Sequence, residues 1–253
     1  MALFTDGAIS GIEDLTAQDS QLLNVASTEG IDVTQKLAAA QEEIGLEMHT
    51  LLTRLSGMDQ QFWLAAQPDL ESVVVTPALR LWHTFRALEL VYSDAYNSQL
   101  NDRYAGKRDQ FHKMAKWAYE KLVETGIGLA WLPVARAATP VVAAAPGSVP
   151  DGTYYVSMTW TNRNGEEGAA AIPAAITVAG STFLVQPGEA PRNATGWNVY
   201  VGEDPGAMSL KSEAPMAPEE SWQAGEWKTG GRAPGCGQSP SYMKPVPRVI
   251  QRG

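Results

Sequence analysis

The sequence holds three histidines, His49, His83 and His112, each alone on a segment of helical pattern. No H-E-x-x-H pair occurs, and a single cysteine, Cys236, provides no thiol pair for a zinc site. Histidines on separate helices can converge in a bundle core, but no Glu-x-x-His spacing accompanies them here. Helix-surface or interface positions are therefore expected for all three. Cys236 lies between glycines with no histidine near it in sequence, so no catalytic role is expected. Nucleophile elbows of the G-x-S-x-G type and G-x-x-x-x-G-K-[ST] phosphate loops are absent. The glycine-rich stretch "GEWKTGGRAPGCG" has a lysine but no following helix to orient a phosphate, and reads as an extended loop. Carboxylates gather in "EDLTAQD" and "QEEIGLE"; such pairs do acid–base work only where their environments separate their pKa values. On an amphipathic helix they form a solvated face. The expectation is no catalytic residue, no cofactor and no metal site.

The elements that would position these residues fall into two halves. Residues 10–125 carry the helical repeat. "EDLTAQDSQLLNVAST" predicts one short helix closed by Gly30. "DVTQKLAAAQEEIGLEMHTLLTRLSG" predicts a long one capped by Asp32 and ended by Gly57, with Val33, Leu37, Ala40, Ile44, Met48, Leu51, Leu52 and Leu55 inward. Thr76-Pro77 marks a helix start, because the threonine can cap and proline at the first position forfeits no hydrogen bond. Leu79, Trp82, Phe85, Leu88 and Tyr92 then form a stripe, widened by Leu81, Ala87, Leu90 and Val91. A break at Asn101 and Gly106 precedes a helix to Gly126 with Phe111, Met114, Ala115, Ala118 and Leu122 inward, giving a long antiparallel hairpin. Both faces of that hairpin are apolar, so part of it, Tyr104 and Trp117 included, is expected to meet another subunit or protein.

Beyond Pro133, "ARAATPVVAAAPGSVP" reads as a linker, and from Gly152 the period becomes two. Tyr154, Val156, Met158 and Trp160 face one way and Tyr155, Ser157, Thr159 and Thr161 the other. Asn164-Gly165 is a hairpin turn, and "AAAIPAAITV", "STFLVQ" and "GWNVYVG" add strands of a small antiparallel β-sandwich. The expected organisation is a multidomain α plus β chain: a helical domain at 1–140, a linker at 141–151, a β-sandwich at 152–232 and an extended basic arm at 233–253.

Charge restricts the function classes. The net charge of −9 opposes a nucleic-acid-binding body. Residues 1–140 carry 11 basic and 18 acidic residues, and the remainder 8 and 10. No acid follows Glu226, while Lys228, Arg232, Lys244, Arg248 and Arg252 all do. No apolar run reaches the length of a membrane span, and "MALFTDGAIS" lacks the pattern of a secretory signal. In the tail, prolines at 240, 245 and 247 oppose a helix, while Tyr242, Met243, Val249 and Ile250 supply spaced apolar anchors. Prolines also reduce the entropy lost on ordering, so an arm docking into a neighbour's groove is expected, with Lys244, Arg248 and Arg252 meeting acidic partners.

"LRLWHTFRALELVYSDAYNSQLNDRYAGKRDQFHKMAKWAYEKLVETGIG", with NDRY-x-x-K between two long helices, resembles the helical hairpin of head-to-tail adaptor proteins of tailed bacteriophages. "GTYYVSMTWTNRNGEEGAAAIP" and "ATGWNVYVGEDPG" are similar to fibronectin-III or immunoglobulin-like modules appended to phage structural proteins, and "GQSPSYMKPVPRVIQRG" to the ends of such fused proteins. The likeness covers most of residues 70–253. It implies a non-enzymatic virion protein at the head–tail junction, assembled in the host cytoplasm. It further implies a dodecameric homo-oligomeric ring bound to the portal protein and to tail, nozzle or fibre proteins. DNA would pass through without sequence-specific binding, and no membrane is involved. Simple adaptors are helical and short, so the second domain departs from the pattern. Two other classes remain open at this level: a virion-surface module reading a receptor or carbohydrate, and a tail-associated cell-wall hydrolase relying on an acid such as Glu43 or Glu89.

Overall fold

The computed structural model describes residues 1–56, 68–99, 102–225, 230–235 and 237–244. Among these, five α-helices occupy the N-terminal half and antiparallel β-sheets the C-terminal half, a mixed α and β architecture. The chain separates into two compact units. One holds Gly7–Leu129 and Pro240–Gly253, the other Met1–Asp6 and Ala130–Ser239.

In the helical unit, α1 (Ile12–Gln18), α2 (Leu22–Glu29) and α3 (Val33–Ser56) precede α4 (Pro77–Gln99) and α5 (Ala105–Thr125). Helix α2 ends where Gly30 takes a left-handed conformation at φ 66° and returns its N–H to the Ala26 carbonyl. Asp32 caps α3 by accepting from the amides of Thr34 and Gln35. Thr76 Oγ1 accepts from the Leu79 amide at 3.4 Å, placing Pro77 where its missing donor costs nothing. Leu79, Trp82, Phe85, Leu88 and Tyr92 are all buried. Cross-helix contacts of Trp82 with Tyr119, His112 with Glu89 and Tyr92 with Phe111 show that α4 and α5 run antiparallel. A short ladder closes this unit: β1 (Ile127–Leu129) pairs antiparallel with β9 (Ser241–Met243).

The other unit carries two sheets. One has the order β2-β5-β8, from Val141–Ala145, Thr182–Gln186 and Trp222–Gln223. The second has the order β4-β3-β6-β7, from Ala174–Val178, Gly152–Thr161, Gly196–Gly202 and Ser209–Leu210. Both feed one hydrophobic cluster: Tyr154, Val156, Met158 and Trp160 of β3, Trp197, Val199 and Val201 of β6, and Phe183 and Val185 of β5. The Asn164-Gly165 turn forms as its sequence requires. Asn162 Oδ1 accepts from the amides of Asn164 and Glu166, and Gly165 has φ 76°.

Several sequence expectations are corrected. The expected single helix before Gly30 is two, because Asp19 turns inward and its Oδ1 takes the Gln21 amide, breaking the helical ladder. Gly106 lies in the first turn of α5 and does not break it. The expected linker at 141–151 contains β2, since "VVAAA" is β-competent and finds a partner in β5. The β unit takes in Met1–Asp6 and runs from Ala130 to Ser239, beyond the expected 152–232 on both sides. Residues 241–243, expected to reach a neighbour, form a strand on their own chain's β1. Beyond the alternation read from β3, its polar side is also covered: Ser157, Thr159 and Thr161 are as buried as its apolar face. A two-residue period reports alternation, but not whether the polar side is covered.

Candidate functional site

Three helices of the first unit frame a cleft of about 370 Å³. Its floor is apolar: Ile44 of α3, Trp82 of α4, Ala115 and Tyr119 of α5. The Trp82 and Tyr119 rings lie 5.0 Å apart at 58°. At one end Arg86 donates from Nε to Glu43 at 2.6 Å and from Nη1 to Glu89 at 2.7 Å, and Glu89 also meets His112 Nδ1 at 2.8 Å. Burial works to lower the pKa of Arg86, but its bonds to Glu43 and Glu89 outweigh that and raise it, so its charge is fixed. Glu47 lies at the other side, where its Oε1 accepts from the Tyr119 hydroxyl at 3.2 Å. Glu43 and Glu89, noted from sequence as separate acids, are thus joined through one guanidinium. That link spans three helices, and no local spacing announces it.

Two residues of the NDRY-x-x-K pattern, Tyr104 and Lys107, enter a second cluster. Asp19 is buried, and its Oδ2 accepts from the Tyr92 hydroxyl at 2.6 Å and from Lys107 Nζ at 3.0 Å. Burial raises the carboxyl pKa, but the bonds from Tyr92, Lys107 and the Gln21 amide together with the Lys107 charge lower it further, so the net shift is down. Burial and the Asp19 carboxylate push Tyr92 well above its ordinary value, keeping its hydroxyl a donor. The Tyr104 hydroxyl donates to Glu29 at 2.9 Å. The pattern therefore ties the α4–α5 pair to α2 and the α1–α2 turn.

Ser10 and His83 form a pair that resembles nucleophile and base. The Ser10 hydroxyl donates to His83 Nδ1 at 2.6 Å, and Nε2–H donates to the Leu37 carbonyl at 3.1 Å. Both side chains are buried, and neither lines the cleft. Burial lowers the His83 pKa, outweighing the Leu37 bond and the Asp14 charge. The neutral ring is a packing element that joins the segment before α1 to α3 and α4. In the β unit, Glu167 accepts from Tyr200 at 2.9 Å, from Asn198, and from both Arg232 terminal nitrogens at 3.1 and 2.5 Å. This network satisfies Asn198 and Tyr200 on the polar face of β6; on β3, Ser157 donates to the Ala171 carbonyl, and Thr159 Oγ1 is buried without a hydrogen-bond partner among the described residues.

The interaction residues expected from sequence are dispersed. Tyr242 and Met243 lie on β9, Tyr242 exposed and Met243 opposite Ile127, and Lys244 follows them exposed. Trp117 is exposed on α5, whereas Tyr104 is buried inside its own chain, because its hydroxyl finds Glu29 there. Arg248, Val249, Ile250 and Arg252 lie outside the described residues, as do Cys236, Lys228, Asn101 and Gly57. No two of the three histidines pair with each other in the described contacts. Among the described residues no group of His, Cys, Asp and Glu forms a metal cage, and no helix is long and apolar enough to cross a membrane.

Comparison with known proteins finds no matching family model, no matching curated protein and no matching solved structure.

Proposed function

We propose that the chain is a structural protein of a tailed-phage virion, a head-to-tail adaptor that assembles as a ring beneath the portal and links it to tail components. The observation that carries this reading is the behaviour of the adaptor-like segment. Its two helices pair antiparallel, and Tyr104 and Lys107 of its NDRY-x-x-K pattern, with Tyr92, fasten that pair to α2 and the α1–α2 turn. A motif of this kind preserves a scaffold, which is what an assembly protein needs from it. Trp117, exposed on α5, then offers an aromatic anchor for a neighbouring subunit. In a ring each subunit would use two different faces, closing heterologous contacts around an axis.

The second unit is read as an immunoglobulin or fibronectin-III-like sandwich. Supporting this, the order β4-β3-β6-β7 in one sheet with β2 beside β5 in the other suits such a module, with β8 added outside β5. A receptor- or carbohydrate-reading role for this unit is a second reading, favoured by the exposed Trp131. The hydrolase alternative gains no support from the cleft, because Arg86 engages both Glu43 and Glu89. The adaptor reading is tested by cosedimentation with portal rings. Stoichiometric capture is expected, and a chain left wholly in the supernatant would sink it.

A further inference from the structure

We propose that the cleft over Trp82 and Tyr119 is a docking site for an arginine side chain carried on an extended segment of a partner protein, with Glu47 as its counter-ion. This rests on the adaptor reading and names the chemistry by which one such contact is made.

Four features carry it. The cleft volume of about 370 Å³ falls within the range of sites that take small groups. Its floor presents two aromatic rings, and a flat, weakly hydrated guanidinium stacks on such faces better than an ammonium does. Glu47 is half-buried and, among the described contacts, receives a neutral hydroxyl and no cation. The Tyr119 hydroxyl fixes that carboxylate through Oε1, leaving Oε2 to accept from a guanidinium edge. The fourth feature concerns the neighbours. Arg86 is already held by Glu43 and Glu89, so its charge is compensated and does not exclude a second cation.

The rim decides between a tethered side chain and a free small cation. Glu43, His112 and Lys116 are exposed there and offer both donors and acceptors. Main chain flanking an incoming arginine can use those groups, whereas a free cation gains little from them.

The test uses the full chain and isothermal titration. The probe is a capped pentapeptide with arginine between two glycines on each side, beside its neutral citrulline counterpart. The arginine peptide is expected to bind about tenfold tighter than the citrulline peptide. Glu47→Gln is expected to remove that difference with the thermal midpoint unchanged, and Tyr119→Phe to weaken binding through loss of the hydroxyl that orients Glu47. No binding, or equal binding of the two peptides, overturns the proposal. Binding of the arginine peptide that is unchanged by Glu47→Gln does the same. A lysine peptide that binds more tightly overturns the guanidinium assignment. N-acetyl-arginine amide binding as tightly as the peptide would give the site to a free small cation. Portal cosedimentation separates the two claims: peptide binding without portal capture sinks the adaptor reading alone, and the reverse sinks only this one.

Discussion

Replacing Asp19 by Asn tests whether the NDRY-x-x-K pattern is a structural clamp. The native carboxylate places Oδ2 under two donors, Tyr92 Oη and Lys107 Nζ, and Oδ1 under the Gln21 amide. An asparagine has one acceptor oxygen. In either orientation its amide nitrogen faces a group that itself donates, so at least one bond becomes a donor–donor contact. Bonds to a charged group contribute about 1.5–3 kcal/mol each in buried settings. Lys107 is 43% exposed, so water replaces part of its contribution. The net loss is then about 2–3 kcal/mol, or a fall of roughly 0.7–3 M in urea midpoint at an m-value of about 1–3 kcal/mol/M. The pH dependence supplies a second check. The folded-state pKa of Asp19 lies below its ordinary 3.8, so its contribution is complete above that value and is lost as pH falls through the depressed one. The wild-type advantage over Asp19→Asn should therefore be full at pH 7 and shrink progressively below the ordinary carboxyl value. Urea titrations followed by helical circular dichroism across that range measure it. Equal midpoints at neutral pH, or a gap that persists undiminished in strong acid, would refute the clamp.

His83 is held neutral with its pKa below the ordinary 6.5, so the unfolded chain takes up that proton first and stability falls as pH drops through 6.5. A His83→Gln variant should be less stable at pH 7 but should lose this slope, as thermal melts from pH 7.5 to 5 would show. Arg232→Met should release the 230–235 segment from β7 for about 1 kcal/mol, the arginine being mostly exposed, with faster amide exchange at Leu210, whose N–H bonds the Arg232 carbonyl. At Gly128 a Cβ would come within 2.7 Å of Thr76 Cγ2 and 2.8 Å of Pro240 Cβ. Gly128→Ala should loosen β9 from β1, seen as exchange at residues 241–243. Trp117→Ser should leave the melting curve within about 0.5 kcal/mol of wild type, yet weaken self-association measured by sedimentation.

The two halves and most of their core were legible because helix and strand periods differ, and Thr76-Pro77 and Asn164-Gly165 carry their own geometry. What escaped was long-range. Glu43, Arg86, Glu89 and His112 come from three helices, and nothing in their spacing predicts that one guanidinium will join two of the acids. The same holds for Glu167, which meets Arg232 across 65 residues. The break after α1 was missed because an aspartate in a helical run looks solvated until Tyr92 and Lys107 draw it inward. β2 was read as linker because alanine and flanking prolines carry weak strand propensity, and only pairing with β5 decides it.

The central proposal is that this chain assembles as a ring on a portal. Native mass measurement of the full chain, alone and mixed with portal rings, tests it most directly. The account predicts a closed oligomer on the portal, with one set of subunits per ring. A chain that stays monomeric at all ratios and leaves the portal mass unchanged would contradict it.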